Sequence, residues 1–160
     1  MTHTVVTSPI GPLTLVATDG VLSGLYMDSQ LYLPDITTFG AEEPDCLPEA
    51  REQLRAYFDG ELTAFTLAVA PRGTPFQQRC WAQLQQIPYG ETWTYRELAE
   101  RIGRPTAARA VGMANGHNPI SIVIPCHRLV GTNGSLTGYG GGVQRKQALL
   151  DLERGRRPRG

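Results

Sequence analysis

Pro71-Arg72-Gly73 divides a chain whose hydrophobic pattern changes character on either side of it. Upstream, Thr4 to Thr7, Leu13 to Thr18 and Val21 to Met27 are β-rich runs punctuated by Ser8-Pro9-Ile10-Gly11-Pro12 and by Asp19-Gly20. An Asp-Gly pair between such runs is a hairpin signal. Downstream, the apolar residues recur at helical spacing. The break predicts an amino-terminal α/β domain over residues 1–70 and a second domain over 71–160. The fold class is α/β (α+β), an antiparallel sheet followed by a mainly helical part.

Between the third run and the first helix, residues 28–47 carry no persistent period and include Pro34, Gly40 and Pro44, so they read as a long surface connection. A helix follows from Pro48 to Asp59, with Leu47, Leu54 and Phe58 on one face and Gly60 as its stop. Thr66 to Ala70 can return to the sheet. Past the break, Phe76, Cys80, Trp81 and Leu84 form an apolar stripe on a helix from Pro75 to Gln86, which makes Cys80 a core residue. Thr94 to Ile102 and Thr106 to Gly116 give two short helices across Gly103-Arg104-Pro105. That pair reads as a helix-turn-helix or as an ordinary helical corner. The second of the two is lined by Ala107, Ala108, Ala110, Gly112, Ala114 and Gly116, small residues that permit close backbone approach.

The 160 residues suffice for a buried core, and the apolar runs are too short for a membrane span or a signal segment, which predicts a soluble, intracellular, cytoplasmic protein. Three cysteines, Cys46, Cys80 and Cys126, show no secreted disulfide framework. There is no Cys-x-x-Cys and no paired histidine spacing, and His3 has no cysteine near it, so no metal site is expected. A formal net charge of zero hides an asymmetry: residues 1–90 hold four arginines against ten acids, a balance of −6, and residues 91–160 hold eleven basic residues against five acids, a balance of +6. Clustered positive charge attracts phosphates, so the second half is the one suited to a polyanion. Arg154, Arg156, Arg157 and Arg159 read more simply as a solvated tail.

Ile124-Pro125-Cys126-His127-Arg128 places a candidate nucleophile directly before a candidate base. Thiolate is the attacking species, so such a cysteine needs a base or a positive field nearby. Adjacency alone is weak evidence, because neighbours on an extended strand point to opposite faces. Lys146, Leu150 and Glu153 share one helix face, which sets a carboxylate beside apolar residues, where it needs a partner. His127 and Lys146 are the two candidates. Asn118, held before Pro119, can tie its flanking segments together. Gly131 to Gly142 has five glycines in residues 134–142 but lacks the ending of a phosphate-binding loop.

Arg109-Ala110-Val111-Gly112, Asn118-Pro119, Ile122 through Arg128 and Gly138-Tyr139-Gly140-Gly141-Gly142 together resemble the O6-alkylguanine-DNA alkyltransferases. The resemblance covers most of residues 74–154. It is weaker before residue 70, where Tyr57-Phe58-Asp59-Gly60-Glu61-Leu62 carries it. It implies a ribonuclease H-like first domain, a winged helix-turn-helix in the second, and stoichiometric direct-reversal repair of double-stranded DNA containing O6-alkylguanine. It also implies approach through the minor groove, extrusion of the base and irreversible transfer of the alkyl group to Cys126, without a cofactor. O4-alkylthymine stays open as a substrate, and the free protein is expected to be a monomer.

By the same resemblance His127 activates Cys126 through a water, oriented by Glu153, and Asn118 is the hinge into an active-site strand. Arg109 enters the stack that the extruded base leaves. Tyr95 crowds the flipped nucleotide's phosphate and gives a proton to the leaving guanine. Tyr139 and Gly140 wall the base, and Thr94, Ala108, Asn115 and Leu129 are placed at the DNA or the base. Gly140 stands where some relatives have serine, which predicts room for adducts bulkier than methyl. Two other classes share part of the pattern: alkyltransferase-like binding modules, which lack the acceptor cysteine, and Cys-His-Glu hydrolases, which turn over.

Overall fold

The computed structural model describes residues 1–136 and 139–155. Gly138, Arg156, Arg157 and Arg159, all named above, lie outside the described residues. Three strands, β1 (Thr2–Val6), β2 (Leu13–Thr18) and β3 (Val21–Met27), form an antiparallel meander. Asp19 and Gly20 join β2 to β3 with φ of 52° and 77°. Positive φ at both central residues is the hairpin geometry that an Asp-Gly pair favours. Leu13, Leu15 and Leu25 are fully buried and put one face of the sheet into the core.

Residues 28–47 form the expected, largely exposed connection, with two short elements inside it. A 3-10 turn, Ile36–Phe39, is capped by the Asp35 carboxylate, which accepts from the Thr37 N–H at 2.9 Å. The chain then enters β4 (Ala41–Glu42), which pairs in parallel with β1 and makes the sheet order β3-β2-β1-β4. The sheet is therefore mixed, with one parallel edge beside its antiparallel strands. Phe39 is buried and stacks on Tyr26, with ring centroids 5.3 Å apart and planes within 5°. Two residues of strand are too few to show a period of two, so the signal was absent from the sequence.

Helix α1 (Pro48–Phe58) ends where Gly60 takes φ of 76°. Its buried face is Ala50, Leu54 and Tyr57, rotated by one residue from the expected stripe. Phe58 is only partly buried, and Leu47 is the left-handed residue ahead of the first turn. Residues 66–70 touch the sheet at a single bridge, Leu22 to Val69, instead of forming a strand.

Past residue 71, α2 (Pro75–Leu84) opens on a capping box, with Thr74 Oγ1 accepting from the Gln77 N–H at 3.1 Å and Gln77 Oε1 accepting from the Thr74 N–H at 2.9 Å. A short strand, β5 (Trp93–Thr94), leads into α3 (Tyr95–Arg101), and Gly103 at φ 76° turns the chain toward α4 (Ala108–Gly116). The expected helix-turn-helix pair is present. β6 (Leu129–Val130) pairs in parallel with β5, and α5 (Val143–Gly155) closes the fold. Trp81 Nε1 donates to the Ala114 carbonyl at 2.9 Å and ties α2 to α4, while Cys80 is buried in the same core. Among the described residues no helix is long and apolar enough to cross a membrane.

One hydrophobic core runs through both halves. The outer edge of β3 is covered by the segment after α4: the Leu25 N–H donates to the Pro119 carbonyl at 2.8 Å, and the Ser121 N–H donates to the Leu25 carbonyl at 3.3 Å. An edge strand that would otherwise be open thus fixes the residues leading to Cys126.

The burial of Phe39 is checked by Phe39→Ala. Emptying a packed aromatic site costs about 3 kcal/mol, whereas a residue on a solvated connection would cost within about 0.5 kcal/mol; urea unfolding separates the two.

Candidate active site

Cys126 to Arg128 form a single 3-10 turn, Cys126–Arg128, entirely buried. This corrects the expected strand: residues 121–124 are turns and bends, and the 3-10 turn puts neighbouring side chains at angles an extended chain does not allow. Asn118 builds the approach to it. The Asn118 side chain donates from Nδ2 to the Ile124 carbonyl at 2.8 Å, and its Oδ1 accepts from the Ile120 N–H at 3.0 Å. Between those anchors Ile122 takes φ of 73°, a left-handed conformation that is strained for a β-branched residue and persists only because its surroundings fix it.

Glu153, on α5, is the most heavily hydrogen-bonded side chain of the site. Oε2 accepts from His127 Nε2 at 2.6 Å, from Tyr57 Oη at 2.6 Å and from Arg128 Nη2 at 3.0 Å. Oε1 accepts from Arg128 Nε at 2.8 Å and from the Gly90 N–H at 3.2 Å. Glu153 and His127 are fully buried. Burial alone would raise the Glu153 carboxyl, but the hydrogen bonds of His127 and Arg128 and the Arg128 charge outweigh it and hold the group well below the usual carboxylate range. For His127 the balance tips the other way: burial pushes its pKa down, and Glu153 only partly restores it. The second ring nitrogen, Nδ1, makes no hydrogen bond among the described residues.

Lys146 corrects the simpler expectation that it pairs with Glu153. It is fully buried on the same helix but donates to the Leu129 carbonyl at 2.5 Å, with Nζ 5.9 Å from the Tyr95 ring centre and 5.7 Å from that of Tyr139. Arg128 is the cation on Glu153. Burial pushes Lys146 down to about 8, and the charge of Cys126 pulls it back up. Burial also pushes the Cys126 thiol up, while Asn118, the Lys146 charge and Ser121 draw it down. These polar partners differ from the His127 expected to act on the thiol.

A cavity of about 500 Å³ opens between α3, α4 and the loop before α5, lined by Tyr95, Ala108, Arg109, Gly116 and Gly140 and by Leu31 and Tyr32 of the first half. Tyr32 stacks on His117 with centroids 3.8 Å apart, and the Leu31 N–H donates to the Gly140 carbonyl at 2.8 Å. Arg109 is exposed on α4. Burial and then the charge of Cys126 raise the Tyr95 phenol. Thr94 is the cap of α3, its Oγ1 accepting from the Glu97 N–H at 3.0 Å.

Neither Asn115 nor Leu129 lines this cavity. Asn115 is buried, donating from Nδ2 to the Cys126 carbonyl at 3.3 Å, and Leu129 is fully buried in β6. Tyr57, Ser121 and the orientation of Lys146 were not foreseen. Only Tyr57 carried a signal, through its place in the Tyr57 to Leu62 segment.

A helix-turn-helix whose second helix lies beside a buried, polar-flanked cysteine defines a class of thiol-bearing proteins with a DNA-binding fold. Comparison with known proteins narrows it. The profile of the 6-O-methylguanine DNA methyltransferase, ribonuclease-like domain, matches residues 1–71, and that of the 6-O-methylguanine DNA methyltransferase, DNA binding domain, matches residues 75–155. The methylated-DNA--protein-cysteine methyltransferase of Mycobacterium bovis is 56% identical over 151 residues, covering 94% of this chain and 91% of the relative. That of Methanosarcina acetivorans is 45% identical over 153 residues, covering 96% and 98%. A crystal structure of Mycobacterium tuberculosis OGT in complex with DNA superposes with a TM-score of 0.93 at 52% identity, covering 99% of this chain and 96% of that one. The chain belongs to the 6-O-methylguanine DNA methyltransferase family.

Two outcomes follow from this geometry. Because His127 titrates below its ordinary 6.5 in the folded state, the unfolded chain takes up the proton first, so stability falls as pH drops below that value. His127→Gln should flatten the decline, measured as the urea midpoint at pH values on either side of it. At Gly140, an added Cβ would lie 3.2 Å from the Gly116 carbonyl oxygen and 3.7 Å from that of Leu31. Gly140→Ser should therefore lower the rate of benzyl transfer more than that of methyl transfer, and an unchanged benzyl-to-methyl rate ratio would contradict this.

Proposed function

We propose that this protein repairs DNA inside the cell by direct reversal, taking the alkyl group of O6-alkylguanine onto Cys126 once per molecule. The observation that carries the reading is a cysteine buried in a polar pocket beneath the second helix of a helix-turn-helix. A stacked guanine hides its O6 substituent, so the base must leave the duplex before a buried sulfur reaches it. Arg109, exposed on α4, is placed to fill the gap, and the small residues of that helix suit close approach to a minor groove.

The cavity bounded by Tyr95 and Gly140 is where the extruded base would sit. Burial keeps Cys126 a thiol at rest, so its proton must leave as the substrate docks. His127, neutral because it is buried and oriented by Glu153, is the base, reached through a water. The Lys146 charge and the polar groups of Asn118 and Ser121 stabilise the thiolate. Sulfur then attacks the alkyl carbon. The carbon–sulfur bond forms as the carbon–oxygen bond breaks, the electron pair goes to the guanine, Tyr95 supplies a proton to it, and the proton held by His127 returns to Tyr95 through solvent. The balance is thiol plus alkylguanine giving thioether plus guanine. Since no group among the described residues of the site cleaves a thioether, the protein acts once.

Cys126→Ser should bind lesion-bearing duplex DNA as the unaltered protein does and transfer no alkyl group. Arg109→Ala should weaken capture of the lesion by about 1–3 kcal/mol and leave the acceptor intact. Fluorescence anisotropy and transfer of a radiolabelled methyl group separate the two effects. Transfer by the serine variant would overturn the acceptor assignment.

A further inference from the structure

We propose that Tyr57, in the amino-terminal half, is a positioning residue for the reaction: its phenol O–H holds the Glu153 oxygen on which His127 depends and so sets how strongly the carboxylate holds the imidazole. The inference rests on the relay read above and extends it across the protein.

The geometry is specific. Glu153 Oε2 accepts from Tyr57 and His127 at the same distance, 2.6 Å, and from Arg128 Nη2 at 3.0 Å. A carboxylate oxygen offers two lone pairs, so three donors on one oxygen compete for its charge. The Tyr57 ring is fixed by Phe58, Phe65 and Tyr89, with centroids at 5.2, 5.3 and 6.3 Å, which leaves the hydroxyl little freedom to move away. Burial and the neighbouring Glu153 charge keep this phenol protonated, so it remains a donor wherever the protein works. Tyr57 belongs to α1, whereas the acceptor, its histidine and the carboxylate all follow residue 71. The catalytic pair is thus completed by a residue from the other half of the chain.

A purely structural tyrosine would be replaced by phenylalanine without chemical consequence, because the ring contacts survive. A positioning tyrosine would not. Without the hydroxyl, more of the Oε2 charge falls on His127 and raises its affinity for a proton. The cations facing the pair, Arg128 on Glu153 and Lys146 on its electrostatic periphery, are unchanged, as is Tyr89 beside the Tyr57 ring. Transfer requires neutral His127, so the acidic limb of the pH–rate profile moves to higher pH.

The test measures single-turnover methyl transfer against pH for the full chain, Tyr57→Phe and His127→Asn. Tyr57→Phe is expected to saturate at one methyl group per chain and to transfer roughly three- to tenfold more slowly on the acidic side, converging on the unaltered rate at alkaline pH. Site-specific 3-fluorotyrosine at position 57, a more acidic donor, should move the limb to lower pH, which tests the idea without removing the hydroxyl. A Tyr57→Phe profile that matches the unaltered protein, or one slowed equally at every pH, overturns the role of Tyr57 if His127→Asn is slow. Should His127→Asn transfer at the unaltered rate, the relay itself fails and the proposal falls with it.

Discussion

The structure around Cys126 depends on one buried carboxylate. Ionised in a low-dielectric interior, Glu153 would be strongly destabilising without partners. Its two oxygens instead accept from α1, from the turn at Gly90 and from both His127 and Arg128. These four donors come from three stretches of chain, α1, the turn at Gly90 and the Cys126–Arg128 turn, so satisfying one charge fixes how the three meet α5. The same requirement turns His127 so that Nε2 faces the carboxylate, which leaves Nδ1 without a hydrogen bond among the described residues.

A second constraint acts on the backbone. Cys126 is reached through a segment held at Leu25 on one side and by the Asn118 amide on the other, with Ile122 in a conformation that β-branched residues avoid. Sheet edge, asparagine and strained turn together fix the depth of the sulfur. Lys146 then supplies positive charge from α5 while its ammonium remains satisfied by the Leu129 carbonyl. The first half of the chain therefore contributes the strand that anchors the acceptor loop, the Leu31–Tyr32 side of the cavity and the hydroxyl on Glu153.

Much of the fold was legible because long periodic segments and punctuating glycines carry local information. The Asp19-Gly20 hairpin, the stop at Gly60 and the helix-turn-helix around Gly103 all appear where residue chemistry puts them. The parallel pairing of β4 was not legible, since Ala41 and Glu42 are held by β1 and by the burial of Phe39, neither of which has a local signature. At the site, the pairing of His127 with Glu153 was readable, whereas the cation on the same carboxylate was not. Helical spacing sets Lys146 and Glu153 on one face, but Arg128 reaches the carboxylate from another element and Lys146 points toward Leu129. The burial of Asn115 and Leu129 was not legible either, because β6 and the Cys126 turn that enclose them are set by tertiary contacts.

The central claim is that a buried thiol, Cys126, accepts a single alkyl group. Intact-protein mass after incubation with excess duplex DNA containing O6-methylguanine, followed by peptide mapping, tests it most directly. The account predicts a gain of one methyl group per chain that saturates and maps to Cys126. Lesion binding with no gain in mass, release of a freed methyl product with repeated turnover, or a methyl group mapped to Cys46 or Cys80 would contradict it.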